Sequence, residues 1–348
     1  MAVSPVHMLK FSLWNPYSLS LDPDGPFPAL YRLLTTPSPS IWSLDLGGFS
    51  GLCIFISGAN SGCGAELARA LSRVDCHLIL ATRNESRGQR VRQDLYRESK
   101  GVKAVVSVLE LDMTSSKSVA TLPSRLNKLS SHLDVVVLNA GTYQTEFRVC
   151  PETGWEETVQ VNVVATTALT LMLHPFLCRA EAGRLLIVSS EAHAWASPQE
   201  SSARNLLARL NQPAPYLCYQ KYHISKLLLV LWAREISQQH MWRRVSVATV
   251  SPGFSRTALF RSFNSSPIAR AVERLVCRES DQGAAQYVLA LQGMAAGHGN
   301  GQFWSDGAWR ESSAAASCER GREIQSTLYA DVLAILRDAS VLDEAWPQ

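Results

Sequence analysis

The stretch Leu52-Cys-Ile-Phe-Ile-Ser57 is a short apolar run that breaks at once into glycine-spaced sequence, Ser57-Gly-Ala-Asn-Ser-Gly-Cys-Gly64. A run of that length without alternation suits a strand buried on both faces. Residues 65–74 then read as a helix, with Leu67, Ala68 and Leu71 on one side. The glycine turn therefore joins a first strand to a first helix, and that join limits the folds open to the chain.

The pattern repeats. Residues 77–82, 104–111, 134–138, 184–189 and 245–250 read as further strands, and 301–304 as a last one. Residues 85–100, 116–129, 155–178, 219–239 and 282–295 read as helices. Such alternation predicts right-handed βαβ crossovers and an α/β fold. The expected architecture is a Rossmann-type doubly wound parallel sheet of about seven strands, in a single domain over residues 48–310. Residues 1–47 form a Pro/Ser-punctuated leader, locally helical only at 29–35 and expected on the domain surface or partly disordered. Residues 311–348 form a tail with a helix over 322–337.

Composition narrows the function. With 46% hydrophobic and 18% charged residues, disorder is excluded as the main state. A net charge of +3 with scattered basic residues gives no nucleic-acid footprint. The eight cysteines form no C-x-x-C pair and the eight histidines no metal-binding spacing, so neither a disulfide framework nor a metal site is indicated. The leader lacks a continuous apolar core, and no apolar run reaches the roughly 18 residues of a membrane span. The expectation is a cytoplasmic protein with no transmembrane segment.

The glycine turn is a candidate anion cradle. Gly58, Gly62 and Gly64 let the backbone approach a pyrophosphate, and the free N–H groups and helix dipole favour the negative charge. The alternative is a glycine-rich turn that merely packs strand on helix. The second strand bears on the choice of dinucleotide. It ends Ala81-Thr-Arg83, with no acidic residue for a ribose 2′-hydroxyl, and Arg83 can meet the extra phosphate of NADP in a bidentate fork. NADP(H) is thus expected over NAD(H), unless Arg83 is simply a solvated loop residue.

Tyr222-His-Ile-Ser-Lys226 places a phenol and an ammonium one helical turn apart on the same face. A cation so placed favours the phenolate, which makes a tyrosine usable as an acid or base near neutral pH. The pair also occurs by chance in many helices.

Taken in order, these residues resemble the short-chain dehydrogenase/reductase family from about Asp45 to Asp306. Ser57-Gly58-x3-Gly62-x-Gly64 is similar to its T-G-x3-G-x-G loop, with Asn60, Ser61 and Cys63 as the intervening contacts. Asp112 matches the acidic residue that meets adenine, and Asn139-Ala140-Gly141 the family's N-A-G. Asn162, Ser190, Tyr222 and Lys226 match the catalytic tetrad. Pro252-Gly253-x3-Thr257, with Ser255 inside it, matches the segment that meets the nicotinamide.

The resemblance implies roles. Ser190 would hydrogen-bond the substrate oxygen, Tyr222 would donate or take the proton, and Lys226 would hold the nicotinamide ribose and lower the tyrosine's pKa. Asn162 would hold a water that links Lys226 to solvent. Ser57 stands where the family has threonine, and Cys63 where an aliphatic residue is usual; the thiol is either packed and inert or oxidation-sensitive.

Ser190 and Tyr222 are farther apart than the family's usual spacing, so residues 191–217 would form an extra loop near the pocket mouth. The Ser-Ser-Glu-Ala-His193 opening and Gly301-Gln-Phe-Trp-Ser-Asp306 resemble the retinol-dehydrogenase-like branch. The overall build resembles reductases of fungal secondary-metabolite pathways.

Phe254, Leu259, Phe260 and Phe263 would form a lid which, with Trp195 and Tyr216, suggests an apolar, aromatic or polyketide-like carbonyl or alcohol substrate. The alternative is that these side chains only pack the lid onto the body. Two further readings stay open: a non-catalytic NADP(H)-binding redox sensor or scaffold, and an enzyme whose leader lies on a membrane. Family members commonly form homo-oligomers on the two long helices, here 155–178 and 219–239.

Overall fold

Strands form where the apolar runs are unbroken. β1 (Cys53–Ser57), β2 (His77–Thr82), β3 (Val105–Glu110), β4 (Val135–Leu138), β5 (Gly183–Val188) and β6 (Val245–Val250) pair in parallel. Every residue of β1, β4 and β5 is buried, as strands with two covered faces require. β7 (Phe303–Ser305) adds in parallel and β8 (Ala308–Arg310) returns antiparallel, giving the order 3-2-1-4-5-6-7-8. The computed structural model describes Arg32, Thr35, Thr36 and residues 38–98, 101–214, 217–255, 277–310, 313–339 and 341.

Two apolar layers cover the sheet. On one face lie α1 (Gly62–Leu71), α2 (Glu85–Glu98) and, much later in the chain, α8 (Ser280–Ala295), around Leu67, Leu95 and Tyr287. The other face carries the short helices α3 (Ser116–Ala120) and α4 (Leu122–Leu126), the long α5 (Glu157–Leu177) and α7 (Cys218–Gln238). α5 is apolar and long enough to cross a membrane, but 94% of its most apolar window is buried inside the protein, where it serves as a core helix.

Several elements differ from the sequence expectation. The sheet has eight strands, because Asp306-Gly307 turns β7 back into β8 with both residues in the left-handed region (φ 49° and 78°), the backbone of a tight hairpin turn. The expected helix over 116–129 is two pieces that meet at Thr121, with Pro123 in the first turn of the second. Within α5, residues Gln160–Ala165 form a π-helical turn.

The segment 191–217 folds more fully than a loop. It opens with a 3-10 turn (Glu191–Trp195) and carries α6 (Ala203–Leu210), whose Leu206, Leu207 and Leu210 are buried. α6 in turn meets α10 (Glu319–Asp338), which follows the short α9 (Ala314–Ser317) and lies along α7. The end of the leader also joins the body: Ile41 and Phe49 are fully buried. Tyr216, Thr257, Leu259, Phe260 and Phe263 lie outside the described residues.

Candidate active site

In the strand order 3-2-1-4-5-6, the chain reverses direction of travel between β1 and β4, and a crevice opens beyond the carboxyl ends of these strands. A cleft of about 1080 Å³ occupies that position. Its floor is the turn after β1. Gly58 and Gly62 sit at positive φ (67° and 56°), and a β-carbon on Gly64 would lie 2.5 Å from Asn139 Nδ2. The glycines therefore serve close backbone packing as well as access, because Asn139 Nδ2 donates to the Ser57 and Gly58 carbonyls at 3.0 and 3.1 Å. Ser57 keeps the hydroxyl role of the threonine it replaces, accepting from Ala140 N at 3.1 Å.

The expected residues divide by depth. Ser57, Gly58, Asn60, Ser61, Gly62, Cys63, Arg83, Asp112, Asn139, Ala140, Gly141, Tyr222, Lys226 and Pro252 line the cleft. Asn162, Ser190, Gly64, Gly253 and Ser255 are not in that lining. Asn162 is locked behind it: Oδ1 accepts from Thr142 N at 2.8 Å, while Nδ2 donates to Thr142 O and to Ser225 Oγ at 2.9 and 3.1 Å. The side chain thus pins the strand-end backbone at Gly141-Thr142. Ser255 is buried and gives its hydroxyl to Pro252 O at 3.0 Å.

Tyr222 and Lys226 stand on one face of α7, with the ammonium 5.7 Å from the ring centroid. The ammonium donates to Val188 O at 3.0 Å, and the tyrosine's hydroxyl is hydrogen-bonded to Ser190. Ser190 Oγ also accepts from Ala192 N at 3.2 Å. Tyr143 packs edge-on against the Tyr222 ring at 5.3 Å. The ends of β4 and β5 and the helix α7 therefore converge on one phenol.

Matches to known proteins follow this geometry. The model of the short chain dehydrogenase family matches residues 52–202. The short-chain dehydrogenase fogG of Aspergillus ruber is 31% identical over 287 residues, covering 79% of this chain and 81% of that protein. A short chain dehydrogenase of Alternaria solani is 33% identical over 237 residues, 66% of this chain and 80% of the other. The chain belongs to the short-chain dehydrogenase family. It is accordingly an oxidoreductase that interconverts CH–OH and C=O groups with a nicotinamide cofactor. Among solved structures, the fold resembles L-sorbose reductase from Gluconobacter frateurii complexed with NADPH and L-sorbose, with a TM-score of 0.58 and 18% identity over 77% of this chain and all of the other. It also resembles the Pseudomonas aeruginosa RhlG/NADP complex, with a TM-score of 0.57 and 21% identity over 76% of this chain and 99% of that one.

The electrostatics of this dehydrogenase differ from the expectation at one point. Burial pushes the Tyr222 phenol up to about 12, against the smaller lowering effect of the Ser190 hydrogen bond. Burial pushes Lys226 down to about 8. Desolvation is the dominant cause at the phenol, so Tyr222 is a neutral phenol at pH 7 with a proton to give. Cys63 is likewise dominated by burial, which raises its thiol to about 11 and leaves it an inert packing group beside Ser255 and Tyr287.

Among the cleft residues not singled out from the sequence, three bear on the site. Asn84 and Arg87 join Arg83 beyond β2; Asn84 Oδ1 accepts from Arg87 N at 3.1 Å and so starts α2 beside the cleft. The Asn-x-x-Arg spacing was visible but has no meaning until the helix start is known. Tyr287 reaches from α8 to donate to Asn139 Oδ1 at 3.0 Å, bracing the N-A-G turn from the opposite side. No local signal marks it, since its partner lies 148 residues away.

Proposed function

We propose that the chain is an NADP(H)-dependent carbonyl reductase, or the alcohol dehydrogenase of the reverse direction, acting on an apolar small molecule of the kind made in fungal polyketide-like secondary metabolism. The observation that carries the reading is that Tyr222 and Lys226, with Ser190 hydrogen-bonded to the phenol from behind the lining, share one cleft with Arg83 and Arg87. A glycine turn and the amino end of α1 lie between them, a backbone arrangement that fits a dinucleotide's pyrophosphate.

When bound, the nicotinamide cofactor supplies or accepts the hydride. The chain's residues do the rest. The Ser190 hydroxyl holds the substrate oxygen where charge develops. Tyr222 protonates that oxygen in reduction and receives the proton in oxidation. Lys226 would hold the ribose hydroxyls and keeps a positive charge beside the phenol, and Asn162 fixes the Thr142 backbone. A purely cofactor-sensing role has no use for these four groups together, and the family membership favours the enzyme.

Arg83 and Arg87 are the groups suited to a 2′-phosphate, as two guanidinium donors in the cleft lining beyond β2. The reading predicts that Arg83→Ala weakens NADPH binding by about tenfold or more while NADH binding changes less than about twofold, consistent with loss of a charge-assisted hydrogen bond. Fluorescence titration with both cofactors checks it. Equal losses for the two would remove the basis for NADP(H).

A further inference from the structure

Behind Ser190 lies a chain of alternating charges that the family motifs do not include. Glu191, the next residue, is buried. Its Oε2 pairs with Arg32 Nη2 at 3.2 Å, and its Oε1 accepts from the Ser305 hydroxyl. The same guanidinium reaches Asp306 Oδ2 through Nε at 3.4 Å. Asp306 in turn pairs with Arg278 Nη2 at 2.8 Å. Arg278 lies against the Gly253 turn, where a β-carbon would sit 2.7 Å from Nη1, and its N–H donates to Phe254 O at 2.7 Å.

This chain ties together the carboxyl ends of three neighbouring strands: residues 190–191 after β5, 252–255 after β6 and 305–306 at the end of β7. The side chains of Glu191, Asp306 and Arg278 are 8%, 4% and 5% exposed, so each charge needs its partner. Arg32 is the member that comes from the leader. A few residues on, Ser38 and Ser40 hydrogen-bond to Gln286 and Asp281 of α8. Gln286 also accepts from Gly307 N at 3.0 Å, next to the strained Asp306 with its φ of 49°.

We propose that Arg32 is a positioning residue, holding Ser190 and the Pro252-Gly253 turn in mutual register so that the leader is a working part of the active site. The inference rests on the reading that Ser190 meets the substrate oxygen and that residues 252–253 face the nicotinamide. Without the guanidinium, Glu191 and Asp306 are left as neighbouring buried carboxylates, Asp306 with Arg278 and Glu191 with only the charge of Arg310 nearby. The backbone at both sites then shifts to admit water or a proton.

The test is amide hydrogen exchange on the full chain with Arg32→Ala and Arg32→Lys. The alanine variant is expected to exchange about tenfold faster at residues 190–196 and 251–255, with residues 57–64 unchanged. NADPH affinity stays within about twofold, while kcat for NADPH oxidation with an aryl-ketone panel falls about tenfold, a kcat effect of lost positioning. Arg32→Lys restores part of both. Unchanged exchange at 190–196, or a uniform rise that includes 57–64, overturns the proposal. If Arg32→Ala does not fold, the double variant Arg32→Ala/Glu191→Gln, which removes a charge of each sign, takes its place with the same criteria. Tyr222→Phe run alongside separates the two readings. An active Tyr222→Phe overturns the catalytic reading whatever the exchange shows, and an inactive one with an unaffected Arg32→Ala overturns this proposal alone.

Discussion

His193 and His223 lie beside Ser190 and Tyr222. His193 donates through Nδ1 to Ser190 O at 2.7 Å and rests edge-on against Phe303, while His223 is bonded to the Trp195 backbone. Both are enclosed, and desolvation pushes each down to about 4. The folded pKa thus lies below the unfolded value near 6.5. Between those values the unfolded chain binds protons that the folded chain refuses, so stability is full above about pH 6.5 and falls as pH drops toward 4. At about 1.4 kcal/mol per unit and per histidine, urea unfolding at about pH 5 is expected to show a loss of up to roughly 4 kcal/mol relative to pH 7. A stability that is level over this range would mean that neither ring is held neutral by the fold. At the same scale, the Tyr222–Lys226 spacing was legible because both residues lie on one helix. The Arg32–Glu191 pair was not, because it joins residues 159 apart.

At the scale of elements, what the sequence showed depended on how local the cause was. β1, β4 and β5 were readable because a strand buried on both faces must be apolar throughout. The hairpin of β7 and β8 was also readable in principle, since Asp306-Gly307 is the dipeptide such turns prefer, but three-residue strands have too little pattern to be noticed. The π turn at Asn162 and the position of α6 depend on tertiary contacts. α6 is held at its carboxyl end by Lys221, whose ammonium donates to Leu210 O and, at 3.1 Å, to Gln212 O, with the Phe147 ring 5.0 Å away. Lys221 is almost fully buried, so its removal leaves carbonyls without donors in place of a helix-terminal cation. Lys221→Met is expected to cost about 1–3 kcal/mol and to speed amide exchange at residues 203–212 while β5 stays protected. Equal exchange in both proteins at 203–212 would show that α6 docks by its leucines alone.

For the whole molecule, the α5–α7 face, which the resemblance offered as a surface for homo-oligomers, is covered within one chain. α10 contributes Ile324, Leu328, Val332, Leu333 and Leu336 to the core, and Trp232 of α7 stacks on Tyr329 at 5.8 Å. Each buried aliphatic side chain is worth about 1.5–3 kcal/mol, so a second copy gains little by displacing this cover. Light scattering is expected to give a mass near 38.3 kDa, or else an oligomer whose protected amides lie outside α5 and α7. A dimer protected along residues 157–177 and 218–238 would contradict this arrangement.

The central claim is that the Tyr222 hydroxyl carries the proton beside a bound cofactor, and removing that one oxygen tests it most directly. Tyr222→Phe keeps the ring that packs on Tyr143 and leaves the glycine turn untouched. The comparison is NADPH consumption over the carbonyl panel, paired with NADPH binding by fluorescence. The account predicts a kcat lower by about 100-fold or more with NADPH affinity within about twofold, the loss expected for a general acid. Turnover within about tenfold of the wild type, with the cofactor still bound, would contradict it.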